Sequence, residues 1–76
     1  MNGQDPYWVV LFESTSAALM AEKRLKKAAI PHKVIPVPRQ ISSDCGVCIR
    51  FAAGVRGDVE SALTSGRIPF QEIRPL

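Results

Sequence analysis

The segment Tyr7-Trp8-Val9-Val10-Leu11-Phe12 is apolar at both odd and even positions, whereas a strand sends alternate side chains to opposite faces of its sheet. Such a strand must be covered on both faces, which places it inside a sheet. The chain has only 76 residues with which to provide that cover. A domain near this size buries roughly 60% of the surface its unfolded chain exposes, so the core is thin.

The elements that follow fit around such a strand. Ser14 or Ser16 can cap a helix in which Ala18, Ala21, Leu25 and Ala28 recur on one face, a small-residue stripe that lets the helix lie close to a sheet. Glu22, Lys23, Lys26 and Lys27 point elsewhere, and Glu22 can pair with Lys26 one turn on. Pro31 closes the helix. His32 to Val37 is a short extended run whose proline cannot donate to a ladder, which assigns it to a sheet edge. Val47, Ile49, Phe51 and Ala53 alternate with Cys48, Arg50 and Ala52, giving a third strand with one apolar face. After Gly54, Asp58 can cap a second helix through Val59, Ala62 and Leu63, Gly66 suits its left-handed C-terminal position, and Arg67 to Ile73 reads as the last strand.

Strand, helix, strand, strand, helix, strand, with no linker, repeat or low-complexity tract, predicts an α+β fold: a ferredoxin-like split βαβ sandwich with a four-stranded antiparallel sheet and two helices on one face. Residues 1–6 are expected to form a flexible N-terminal tail and residues 7–76 a single domain. The first and third strands are central in that topology, in agreement with the two-sided first strand and the proline in the second.

Several function classes fall away. No apolar run approaches the roughly 20 residues of a membrane span, and Met1 to Pro6 carries no secretion signal, so a cytoplasmic protein is expected. Hydrophobic residues make up 46% and charged residues 22% of the chain, as in ordinary globular proteins. The net charge of +3 is mild and spread along the sequence, which reads as a solvated surface and not as a nucleic-acid footprint. Trp8 and Phe12 share a parity but read as core. No phosphate loop, Ser-His-Asp set or paired carboxylates are present. His32 has no carboxylate or cysteine beside it in sequence and reads as a surface or capping residue. No cofactor is expected.

What remains is sulfur chemistry. The segment from Pro36 to Cys48 joins two strands that a two-residue turn could have joined, and it holds both cysteines, Cys45 and Cys48. Ser42, Ser43 and backbone amides can donate hydrogen bonds to a thiolate, Arg39 is the nearest cation in sequence, and Gly46 offers backbone freedom. A guanidinium near Cys45 would enrich its thiolate, whereas the Asp44 carboxylate opposes this. Cys45-Gly46-Val47-Cys48 is also a Cys-x-x-Cys, open to a redox or soft-metal reading. A closed zinc site lacks its remaining ligands. Cys48 also fits a small buried strand residue.

Val10-Leu11-Phe12-Glu13-Ser14-Thr15, Ala18-Leu19-Met20-Ala21-Glu22, Ile35-Pro36-Val37-Pro38-Arg39 and Ile41-Ser42-Ser43-Asp44-Cys45-Gly46 together resemble the DUF3343 family, described as selenium/sulfur carrier-like proteins. The resemblance runs from about Trp8 to Ile73. It implies a small bacterial or archaeal domain that is a carrier more than a turnover enzyme, with Cys45 as the carrier thiol. Arg39, Ser42, Ser43, Asp44 and Gly46 would then form the site and Cys48 an optional resolving thiol. The implied partners are proteins: a cysteine desulfurase-like donor of sulfur or selenium and an acceptor enzyme, with no nucleic acid and no membrane. A thiol redox or soft-metal module using Cys45 and Cys48, or a small regulatory domain, are the alternatives.

Overall fold

The computed structural model describes residues 6–41 and 46–76. The elements run β1 (Tyr7–Leu11), α1 (Thr15–Lys27), β2 (Lys33–Pro36), β3 (Val47–Ala52), a 3-10 turn (Ala53–Val55), α2 (Arg56–Ser65) and β4 (Glu72–Pro75). The sheet order is β2-β3-β1-β4 with every neighbouring pair antiparallel, the expected ferredoxin-like arrangement with β1 and β3 inside. Proline stands in both edge strands, at Pro36 and Pro75, where a missing N–H is harmless. Of the expected tail, residues 1–5 lie outside the described residues, while the Pro6 carbonyl accepts a bond from Ala53 N–H at 3.0 Å.

Both helices pack on one face of the sheet. Val10, Phe12, Ile49 and Phe51 meet Ala17, Ala18, Ala21 and Leu25 of α1 and Val59 and Leu63 of α2, all buried. Ala17 thus joins the small-residue stripe. Ala28 lies past its end, exposed, as the C-terminal cap of α1. Ser14 is the N-cap, accepting from Ala17 N–H at 3.2 Å. Asp58 does not cap α2: the 3-10 turn runs directly into the helix, Val55 takes the cap position without a side-chain bond, and Asp58 falls in the first turn. Its charge there still favours the helix dipole.

The two helices end alike. In α1, Ile30 N–H bonds Leu25 O and Ala29 N–H bonds Lys26 O; in α2, Ile68 N–H bonds Leu63 O and Arg67 N–H bonds Thr64 O. Each is a Schellman motif, and the sequence beneath it repeats as Leu-x4-Ile-Pro at Leu25–Pro31 and Leu63–Pro69. The left-handed positions are Ala29 (φ 58°) and Arg67 (φ 56°), not Gly66, whose φ is −83°. Gly66 serves close approach instead. A Cβ there would stand 3.3 Å from both Ala62 O and Arg24 Nε, where Arg24 reaches across from α1 to donate to Ser65 Oγ at 3.2 Å. Because Arg67 completes the helix exit and Ile68 enters the core, the last strand begins at Glu72.

The reversal at Ala29–Pro31 returns the chain alongside α1 and gives His32 a partner that sequence neighbours do not reveal. His32 Nε2 lies 2.8 Å from Glu22 Oε2, and Nδ1 lies 2.7 Å from Ile30 O. Both oxygens accept, so whichever ring nitrogen carries a proton has an acceptor in reach. Glu22 is therefore tied to His32 and not to Lys26. The His32 hydrogen bond, helped by the Lys26 charge and opposed by partial desolvation, holds the Glu22 carboxyl below its ordinary value of 4.5.

Two outcomes follow from these local geometries. Ala29→Gly relieves a left-handed alanine costing about 1–2 kcal/mol against an added unfolded-state entropy of about 0.5–1 kcal/mol. Urea unfolding should show a gain of roughly 0.5–1 kcal/mol; a loss would mean that the positive φ carries no strain. A depressed Glu22 value contributes stability that is complete above the unfolded carboxyl's pKa and disappears as pH falls through the folded one. Wild type should accordingly lose more stability than Glu22→Gln between about pH 5 and pH 3, and parallel pH profiles would remove the tie from the folding linkage.

Candidate functional site

With both helices on one face, the apolar residues of β1 on the other face need a different cover. Val9 and Leu11 point there, as does Cys48 of β3, which stands opposite Leu11 and Ile35. The β2–β3 connection supplies the cover. Val37 N–H bonds Gly46 O at 3.2 Å, extending the ladder beyond β2, and Ile41 N–H bonds Pro38 O at 3.0 Å, closing a turn with Arg39 and Gln40 at its exposed centre. The turn sends Ile41 down onto Val9, Leu11 and Cys48, where it is buried, with Ile35 and Val37 at the margin of the cluster.

The expected site residues separate accordingly. Cys45, Ser42, Ser43 and Asp44 lie outside the described residues. Arg39 is exposed on the turn. Gly46 is exposed too, yet its φ is not left-handed and a Cβ would meet nothing within 4 Å, so the backbone freedom expected of it is not used. Cys48 is 0% exposed; it is a strand residue of the second cluster, and a resolving role would require it to be met from inside the fold. On the same face, beyond Cys48 along β3, the Arg50 guanidinium lies 4.3 Å from the centre of the Tyr7 ring.

Among the described residues, no three His, Cys, Asp or Glu side chains come close enough to hold a metal ion. A groove of about 640 Å³ runs between the end of α1 and α2, lined in part by Lys27, Ile30, Asp58 and Ser65. It lies in the helical layer, across the sheet from Cys48, and contains no thiol. Ile41 and the Tyr7–Arg50 pair are the residues that sequence reasoning missed. The signal for Ile41 was present in Val9 and Leu11, which demand a cover that two helices on the opposite face cannot give.

The fold and the anchored connection define a small ferredoxin-like domain whose β2–β3 segment includes a cysteine. The family model described as "Putative Se/S carrier protein-like" matches residues 7–75, and the chain belongs to that family. No curated protein matches the chain, and no solved structure does. No helix among the described residues is long and apolar enough to cross a membrane.

The anchoring is measurable. A fold of this length is stable by roughly 4–11 kcal/mol, and Ile41→Ala should remove about 2–3 kcal/mol of it in urea unfolding. Arg39→Ala, on the exposed turn two residues away, should stay within about 0.5 kcal/mol of wild type. Equal effects from the two variants would mean that the connection is not held by Ile41.

Proposed function

We propose that this protein carries sulfur or selenium as a persulfide or perselenide on Cys45, receiving it from a cysteine desulfurase-like donor and delivering it to an acceptor enzyme. Membership of the Se/S carrier-like family over residues 7–75 is the observation that carries this reading. The burial of Cys48 supports it as well, because a thiol shut inside the sheet is a poor partner for intermolecular exchange, which leaves Cys45 for that role.

The chemistry asks little of the carrier beyond an accessible thiolate. Cys45 sulfur attacks the terminal chalcogen of the donor persulfide. A bond forms between them, the donor's own bond to that chalcogen breaks, and the electron pair leaves on the donor thiolate. The terminal chalcogen keeps its proton or loses it to water, and no external oxidant or reductant is needed. Arg39, with hydrogen bonds from Ser42 and Ser43, would favour the anion; Asp44 would oppose it. An uncrowded Gly46 leaves room for a partner's approach. Cys48 would resolve a loaded Cys45 only by forming a disulfide with it and releasing the terminal sulfur as sulfide, a side reaction that its burial restrains.

The test is to incubate the chain with a cysteine desulfurase and cysteine and to weigh it intact. Wild type and Cys48→Ala should each gain one sulfur, and Cys45→Ser should gain none. An unmodified wild type beside a loaded known carrier, or sulfur found on Cys48, would overturn the reading.

A further inference from the structure

Among the described residues, the sheet face away from the helices is covered only in part, by the turn that carries Ile41, and its remaining part is cationic. Lys33 stands opposite Arg50, Arg50 opposite Val9, and Val9 opposite Arg74. Directly paired residues project from the same face. Ile35 and Val9 belong to the cluster on this face, while Ile49, Phe51 and Ile73, the sequence neighbours of Arg50 and Arg74, pack on the helical side. Three cations therefore lie abreast across all four strands, spanning about 14 Å at roughly 4.8 Å per strand.

This row is not what the fold alone would select. Like charges directly opposite one another destabilise a sheet, and Lys33 faces Arg50 in that way. Arg74 has Glu72 at 3.9 Å, yet its Nε is shut off from solvent with no hydrogen-bond partner among the described residues. We propose that this face docks an acidic segment of a partner protein, laid across the strands so that its carboxylates meet Lys33, Arg50 and Arg74.

Charge complementarity selects an anion, and the geometry selects its kind. A row about 14 Å long on a sheet surface suits an extended ligand with several charges and exceeds the reach of one small anion. Nucleic acid would want exposed aromatic rings for its bases. Here Tyr7 already carries Arg50 on its ring, Trp8 packs toward the helices beside Arg56, and Phe51 is buried. The turn bearing Arg39 borders the same face, so a segment seated on the row would lie beside the β2–β3 connection. The inference rests on the charge row and not on the reactivity of Cys45; either can fail without the other.

The probe is poly-L-glutamate, titrated at low salt into isotopically labelled wild-type protein and followed by NMR. Amide shifts should centre on Tyr7, Val9, Lys33, Arg50 and Arg74, and binding should weaken as salt is added. The triple variant Lys33→Gln/Arg50→Gln/Arg74→Gln should bind about tenfold more weakly or worse. Lys23→Gln/Lys26→Gln/Lys27→Gln, which removes the same charge from α1, should stay within about twofold of wild type. The wild-type mapping stands even if a variant unfolds. Absence of binding, shifts centred on α1, equal losses in the two triples, or tighter binding of oligo-uridylate at the same residues would each overturn the proposal.

Discussion

Everything in this small sheet depends on β1 being apolar on both of its faces. Val10 and Phe12 are covered by the helices, as the βα order dictates. Val9 and Leu11 face the other way, and leaving such residues in water forfeits roughly 1.5–3 kcal/mol each, a large share for a domain this size. That demand explains the length of the β2–β3 connection. Residues 37–41 do more than lead out of β2: they return Ile41 to the sheet as a second, one-residue-deep layer.

The consequences extend to what each face can do. The helical face is closed by packing and is finished at both helix ends by the same device, an isoleucine that enters the core after a left-handed residue. The strain at Ala29 and Arg67 persists because the following isoleucine and proline fix where the chain must go next. Among the described residues, the second face is sealed only beneath Ile41 and is polar and charged beyond it. The turn bearing Arg39 thus borders a surface of the sheet that, among the described residues, is not committed to the core.

Much of the fold was legible because it follows from periodicity and from proline. The two-sided β1, the alternation from Val47 to Phe51 and the proline in β2 fix strand number, order and edges together. Helix ends were less legible. Glycine is the usual left-handed residue, so Gly66 drew that role, whereas the backbone used Arg67 and gave Gly66 to the approach of Arg24, a tertiary contact no local rule contains. His32 and Glu22 are ten residues apart and meet only because the chain reverses after α1. Of the site, burial of Cys48 was open from its residue type, although strand alternation set it on the face of Arg50 and away from the apolar one. Burial of Ile41 could not be read, since a lone isoleucine within a polar stretch resembles loop composition until the unpaid face of β1 is considered.

The burial of Ile41 also sets a local free-energy step. Lifting it from Val9, Leu11 and Cys48 exposes about one side chain's worth of apolar surface, roughly 1.5–3 kcal/mol, which is far less than unfolding the domain. A local opening on that scale would be populated at roughly one part in 10 to one in 200, without unfolding the domain. Any chemistry at Cys48, whether oxidation, alkylation or attack on a neighbouring sulfur, is slowed by that fraction relative to an open thiol. The equilibrium beneath a single isoleucine, more than the thiol's own reactivity, then sets how fast Cys48 can take part.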